Sequence, residues 1–283
     1  GDRKTWESAL RRAISVGAHA GAMAELGYDL ITRAGATKEQ IEEGRTLLDW
    51  GHRLRGTYAT LNLGLLAESG KVPTLDSPVG VAYMFYRQLA LMPCGSPDGP
   101  NAIVKLLPKL ESAPPQVLAN LNSGGMLGIM NDLIERHGSV KAVRDAVWAW
   151  AQVPHADDDF VDYLSGANHE KTVQLLLTTG YTRMRYDAPA DLQSPDRFAD
   201  ELAKAFGKLA TQGELALSNL DNVNRRVDDS LGANSRLDAQ SRADYAAAIK
   251  RRLASTNESL LAEYARRHAP PRSEEHTSEL QSH

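Results

Sequence analysis

Ala34-Gly35-Ala36-Thr37-Lys38-Glu39-Gln40-Ile41 is the stretch that sets the fold class of this chain. Gly35 suits the left-handed residue that ends a helix. Thr37-Lys38-Glu39-Gln40 then reads as a capping box, in which the Thr37 hydroxyl accepts from the Gln40 amide and the Gln40 side chain reaches back. Apolar or small residues lie at helical spacing on both sides of this point. Before it run Trp6, Leu10, Ala13, Gly17, Ala20, Ala24, Tyr28 and Ile31. After it run Ile41, Gly44, Leu48, Gly51, Tyr58, Leu61 and Leu65. Steps of three and four put each set on one helix face. A short link between two such helices predicts antiparallel neighbours over 1–70. The glycines in both stripes allow close backbone approach, at about 0.5–1 kcal/mol of helix propensity each.

Residues 71–195 read as a middle region of short helices. Ser77-Pro78 is a cap followed by proline at the first helical position, and the helix runs Val79–Leu91. Pro93 to Pro100 is a loop by composition and contains Cys94, the single cysteine and a candidate nucleophile, although a lone loop cysteine without a placed His is more often incidental. Further helices are predicted at Ala102–Leu110, Pro115–Leu121, around Leu127–Ile134, through Val140–Trp150, and at Asp157–Leu164 and Asn168–Thr179. The stretch Thr179–Asp191 is read as a short strand or hairpin around Tyr181–Tyr186.

The last region, 196–268, reads as one very long helix. Its stripe runs Phe198, Leu202, Phe206, Leu209, Leu215, Leu220, Val223, Val227, Leu231, Leu237, Tyr245, Ile249, Leu253, Leu260 and Tyr264. No proline falls between Pro195 and Pro270. Seventy helical residues would span on the order of 100 Å. Asp221 to Asp244 is polar, so such a helix needs a partner: the N-terminal hairpin, another chain, or both. The expected architecture is all-α, with the long helix packing back on the hairpin. Residues 269–283 form a polar tail. Within it, Arg272 to His283 resembles the in-frame translation of a DNA-sequencing adapter and is set aside from fold reasoning. That string points to a bacterial or environmental gene fragment. Without its one Arg and three Glu the formal charge moves from −4 to −2.

Composition narrows the function classes. The chain has 283 residues, 42% hydrophobic and 24% charged, which is ordinary for a globular protein. Its mild acidity argues against a generally basic nucleic-acid binder. One cysteine excludes an internal disulfide framework and any multi-cysteine metal site. No apolar run is long enough for a transmembrane helix. Sparse aromatics with abundant Ala and Leu favour helix over sheet.

Several groups are candidates for chemistry. His155 with Asp157, Asp158 and Asp159 offers oxygen ligands for a hard divalent cation, although acids there also suit a helix N-terminus. The run is only loosely like the aspartate-rich motif of terpene cyclases, and Asn131-Asp132 lacks the Ser and Glu of their second motif. His169-Glu170 is an acid–base candidate beside Asn168, itself a natural cap. Glu135 and His137, two apart, share no helix face. Arg225-Arg226 and Lys250-Arg251-Arg252 are basic, but acids interleave with them. No phosphate-binding, nucleophile-elbow or zinc-protease motif occurs. No cofactor is expected.

Leu237-Asp238-Ala239-Gln240-Ser241-Arg242-Ala243-Asp244-Tyr245-Ala246-Ala247-Ala248-Ile249, followed by Leu253 to Leu261, resembles the terminal helix of needle-tip proteins of bacterial type III secretion systems, the V-antigen and invasin-tip class. The order of hairpin, middle region and returning helix is similar to their layout. The resemblance implies assembly and not catalysis. Copies would cap a secretion needle and dock a host membrane through translocator proteins. Partner or self-association would run through Leu237, Tyr245, Ile249, Leu253 and Leu260, with the polar seam fixing register. Location would be secreted or at the bacterial surface, with the cytoplasm as the alternative. The rival readings are an all-α metal-dependent enzyme using 157–159 and a secreted effector or scaffold that binds a host protein.

Overall fold

The capping box forms. The Gln40 amide donates to Thr37 Oγ1 at 3.3 Å, and the Thr37 amide donates to Gln40 Oε1 at 3.0 Å. It opens the third of twelve helices among the described residues, which contain no strand. The computed structural model describes residues 2–71, 77–92, 97–153, 167–187, 194–213, 224–225, 227–229, 231 and 238–267. The chain divides into two compact units, Gly1–Trp150 with Arg185–Asp187, and Ala151–Met184 with Ala188–His283.

In the first unit each long helix expected over 1–70 is two helices. α1 (Arg3–Gly17) and α2 (Ala20–Thr32) are separated at Ala18, whose φ is +46°. His19 Nδ1 then caps α2 by accepting from the Ala22 amide at 3.1 Å. α3 (Lys38–Arg53) and α4 (Thr57–Glu68) are separated at Arg55, whose φ is +59°. The stripes hid both turns because each break is only two or three residues long and interrupts no run of apolar spacing.

α2 and α3 are antiparallel and touch backbone to backbone. Gly27 lies against Gly44, and Gly51 against Ala20 and Met23. Ala24, Ile31, Leu48, Ala59, Leu63 and Leu66 form the core between these helices and α4, with Tyr28, Ile41 and Phe85 at its edge. α5 (Pro78–Ala90) packs on α4, where the Tyr86 ring fills the space left by Gly64. α6 (Asp98–Glu111), α7 (Pro115–Leu121), α8 (Gly125–His137) and α9 (Lys141–Ala151) follow at the predicted places.

α10 (Ala167–Asp187) corrects the strand expected around Tyr181–Tyr186. Thr179 and Thr182 each donate to the carbonyl four residues back, at 2.7 Å, and so sit in a helix despite their β-branching.

The second unit corrects the single helix expected over 196–268. α11 (Pro195–Gly213) and α12 (Ala239–Arg267) are separate, and Asp238 starts the latter by accepting from the Ser241 amide at 2.7 Å. They pack against each other. Phe198 meets Tyr245, Asp200 pairs with Arg252, and Gly207 faces Thr256. These contacts climb together along both helices, so the two run parallel, which one continuous rod cannot do. Phe198, Leu202, Ala248, Ile249 and Leu253 are buried in this unit. Val227 is also buried, and its neighbour Asp228 pairs with Lys250 at 2.6 Å.

Candidate interaction surface

The sequence-derived candidates divide into those the structure places and those it does not describe. His155, Asp157, Asp158, Asp159, Cys94 and Leu237 lie outside the described residues. His169, Glu170 and Leu260 lie on described helices, but their side chains lie outside the description. Among the described residues no three His, Cys, Asp or Glu gather in a way that could hold a metal ion. No described helix is long and apolar enough to cross a membrane.

Of the expected association face, Ile249 and Leu253 are fully buried within the chain's own second unit, and Tyr245 stacks edge-on with Phe198 and Tyr181. The basic run beside them is matched by acids. Lys250 pairs with Asp228, Arg251 with Asp196 at 3.5 Å, and Arg252 with Asp200 at 2.7 Å. Asp132, from the Asn131-Asp132 pair, is held by Arg87 and Asn122. Burial, with the Arg136 charge beside it, lowers the His137 pKa. An open depression of about 620 Å³ lies at Asp2, Arg3, Thr5, Trp6, Ala9 and Asp29. Its carboxylate, Asp29, already pairs with Arg3 and Arg33.

The unspent apolar surface lies elsewhere, on α4 and the turn before it. α4 has no ionisable side chain acidic or basic enough to charge at neutral pH from Thr57 through Ala67. Its polar residues do not mark an outer face, since Thr60 is buried and donates to the Gly56 carbonyl while Asn62 donates to the Ala24 carbonyl. Here Ala59, Leu63, Leu66 and Ala67 face the core, whereas Tyr58 is 65% exposed and Leu65 40%. Leu61 lies between them, half-buried. The spacing 58, 61, 65 puts the three on one face. Trp50, late in α3, is 56% exposed, and Leu54, in the α3–α4 turn, is 53% exposed.

Two turns build this corner. Gly56 sits against Ala20, so the α3–α4 turn abuts the α1–α2 turn. Ala18 and Arg55 are the non-glycine residues with positive φ among the described residues, and one stands in each turn. A left-handed L-residue costs roughly 1–2 kcal/mol, and such strain concentrates where a surface has a task. Arg53 and Arg55 are exposed at the corner, and Arg53 pairs with Asp49 at 2.9 Å. Val16, at the end of α1, is also exposed.

Sequence periodicity had placed Tyr58, Leu61 and Leu65 on the buried stripe. The run 57–67 has no charged face to set the phase, and its polar residues Thr60 and Asn62 are hydrogen-bonded to the backbone within the fold, so periodicity could not tell the buried side from the open one. Compared with models of protein families, with curated proteins and with solved structures, the chain has no match.

Proposed function

We propose that the protein is a helical assembly protein that works by docking to another protein through the outward face of α4 and the adjoining corner. The observation that carries this reading is the charge-free helix 57–67 with Tyr58 and Leu65 left facing solvent. A contiguous apolar face rimmed by polar groups is the mark of an interaction surface. Trp, Tyr and Arg, the residues at this corner, are the types that dominate binding energy in interfaces.

Within that class, a secreted needle-tip role rests on the residues 237–261 that carry the resemblance. The layout of one helix over 196–268 lends it no support, because 195–213 and 239–267 are separate helices. The enzyme reading rests on His155 and Asp157–Asp159 alone.

The test is a photo-activated cross-linker placed at Tyr58 or Leu65, with Lys141 as the surface control. Docking predicts one adduct of defined mass from both α4 positions and none from 141. Equal labelling from all three positions, or none from α4, overturns the proposal.

A further inference from the structure

The joint between α1 and α2 is closed by a cap that a proton can open. N-caps are ordinarily Ser, Thr, Asp or Asn, whose oxygens still accept in mild acid. Here the cap is His19, and its Nδ1 accepts from the Ala22 amide at 3.1 Å. An imidazole nitrogen accepts only while it carries no hydrogen, so the bond requires the neutral ring with its hydrogen on Nε2. The ring is seated over Gly21, where an added Cβ would lie 3.1 Å from His19 Cε1. His19 is exposed, so protons reach it from solvent. Its neighbour Ala18 makes the turn with φ +46°, and the Ala18 amide donates to the Ile14 carbonyl at 2.9 Å.

Proton uptake by the ring removes this bond and sets a cation at the positive end of the α2 dipole. Little around it compensates. The ionisable groups of the neighbouring elements are Arg12 on α1, Glu25 on α2, and Asp49, His52, Arg53 and Arg55 on α3 and its turn. Asp49 is paired with Arg53 at 2.9 Å, and His52 Nδ1 meets Thr60 Oγ1 at 2.9 Å. α4 brings no group that charges at neutral pH from Thr57 through Ala67. The capped state binds one proton fewer, so acid favours the uncapped one. The ties of α1 outlast this change. The bond from Arg11 holds Glu7 below the ordinary carboxylate value, and at Asp29 burial pushes upward but the bonds from Arg3 and Arg33 overcome it. Both carboxylates therefore stay charged through the histidine range. We infer that the α1–α2 turn is a proton-operated joint, locked while His19 is neutral and loosened when it is protonated, with the ion pairs of α1 still in place. Acid alone frees the turn, and acid with salt frees α1.

Nuclear magnetic resonance on the full chain tests it. The ring nitrogen shifts of His19 and the exchange of the Ala22 amide, corrected for its intrinsic pH dependence, are followed from about pH 7.5 to about pH 5.5, across the ordinary histidine range. The expected result at the upper end is the ring with its hydrogen on Nε2. As the ring takes up its second proton, protection of the Ala22 amide should fall about two- to thirtyfold, the range that loss of a cap produces. His19→Asn keeps a cap oxygen that does not titrate, so Ala22 should stay protected at both ends. His19→Ala should leave it unprotected at both. In about 0.5 M salt, where exposed ion pairs are screened, corrected exchange over 3–17 should be faster at the lower pH, and this difference should vanish in His19→Asn. A ring with its hydrogen on Nδ1 at the upper pH overturns the inference, as does protection of Ala22 that stays constant while the ring titrates. His52 and His137 are present in every variant, so a pH response that persists in His19→Asn belongs to them and overturns it too. Equal exchange of α1 at both pH values in salt overturns the release.

Discussion

Gly27 and Gly44 touch through their backbones. A Cβ built on Gly27 would lie 2.7 Å from the Gly44 carbonyl oxygen, and one built on Gly44 would lie 2.6 Å from that of Gly27. The contact is reciprocal and involves main-chain atoms, so no side-chain rotation relieves it. Gly27→Ala gains up to about 1 kcal/mol of helix propensity. Separating two packed helices costs more, about 1–3 kcal/mol for overpacking. Both Gly27→Ala and Gly44→Ala are expected to lower stability in urea titrations. Gly17, whose Cβ position is open, is the control. Equal effects at all three positions would show that α2 and α3 do not meet in this way.

The Tyr86 hydroxyl donates to Glu68 Oε2 at 2.9 Å, and Lys109 donates to Glu68 Oε1 at 2.6 Å. Burial pulls the Glu68 pKa up, but the bonds from Lys109 and Tyr86 outweigh it and leave the carboxyl below its ordinary value. A carboxyl lowered in the folded state stabilises the fold above its unfolded pKa, roughly 4.3. That contribution fades as pH falls through the lowered folded value. Tyr86→Phe removes one donor, so the folded pKa should rise and the variant should lose stability at pH 7. The gap from the unaltered protein should narrow as pH falls through the lowered value. Denaturant melts at pH 7 and pH 3 check this, and a constant gap would rule out the linkage.

α1 has no buried residue. It is tied to its neighbours by ion pairs: Arg3 to Asp29, Glu7 to Arg33 at 3.3 Å, and Arg11 to Glu43. Exposed pairs of this kind are weak and are screened by salt. The bond from Arg11 holds Glu7 below its usual pKa. At Asp29 burial pushes upward, but Arg3 and Arg33 prevail and the pKa is lowered. The ties are therefore intact at neutral pH and fail as pH falls below the ordinary carboxylate range. Hydrogen exchange over 3–17 is expected to speed up in about 0.5 M salt, where exposed ion pairs are screened, with α2 and α3 unchanged. No response to salt would mean that α1 is held by apolar contact instead.

Arg144 is buried and grips Asp187 with two nitrogens, one of them at 3.0 Å, while a third donates to the Gly138 carbonyl at 2.9 Å. Its guanidinium also lies 5.0 Å from the Tyr186 ring centre. Asp187 is partly exposed, so water can recover its carboxylate when the arginine is lost. Arg144→Ala is then expected to cost about 2–3 kcal/mol, below the ~3–5 of a fully buried pair. Arg144→Lys should recover only part, because an ammonium cannot reproduce the forked contact. Chemical denaturation decides it, and a loss under about 0.5 kcal/mol would place the pair among ordinary surface contacts.

Trp50 and Tyr58 leave more than half of their surface open, whereas Leu65 is 40% exposed. Replacing Trp50 or Tyr58 with Ser is expected to cost less than about 1 kcal/mol, and Leu65→Ser about 1 kcal/mol. The same change at Leu63, in the core beneath them, should cost about 2–5 kcal/mol, as large core truncations do. Thermal melts of the four variants separate surface from core. A large loss at Tyr58 or Leu65 would return those residues to the core and withdraw the docking face.

The sequence by itself determined that the chain is helical and where many helices begin. The Thr37–Gln40 box, Ser77-Pro78 and the Pro115 start are local devices, made by residues within one turn of each other, so they can be read without knowing the neighbours. It did not determine where a stripe is interrupted. The turns at Ala18 and Arg55 use residues that carry no turn preference, and they hold because Gly51, Gly56 and Ala20 bring the two turns together from positions far apart in sequence. It did not determine which face of α4 is inside, because no charged side marks the outside and the polar Thr60 and Asn62 find backbone partners within the fold. The fate of Tyr245, Ile249 and Leu253 was likewise a tertiary decision. Periodicity shows that a face is apolar, but only packing shows that α11, from the same chain, covers it. What is legible in sequence is set by contacts within a few residues, and what packing decided depends on partners tens of residues away.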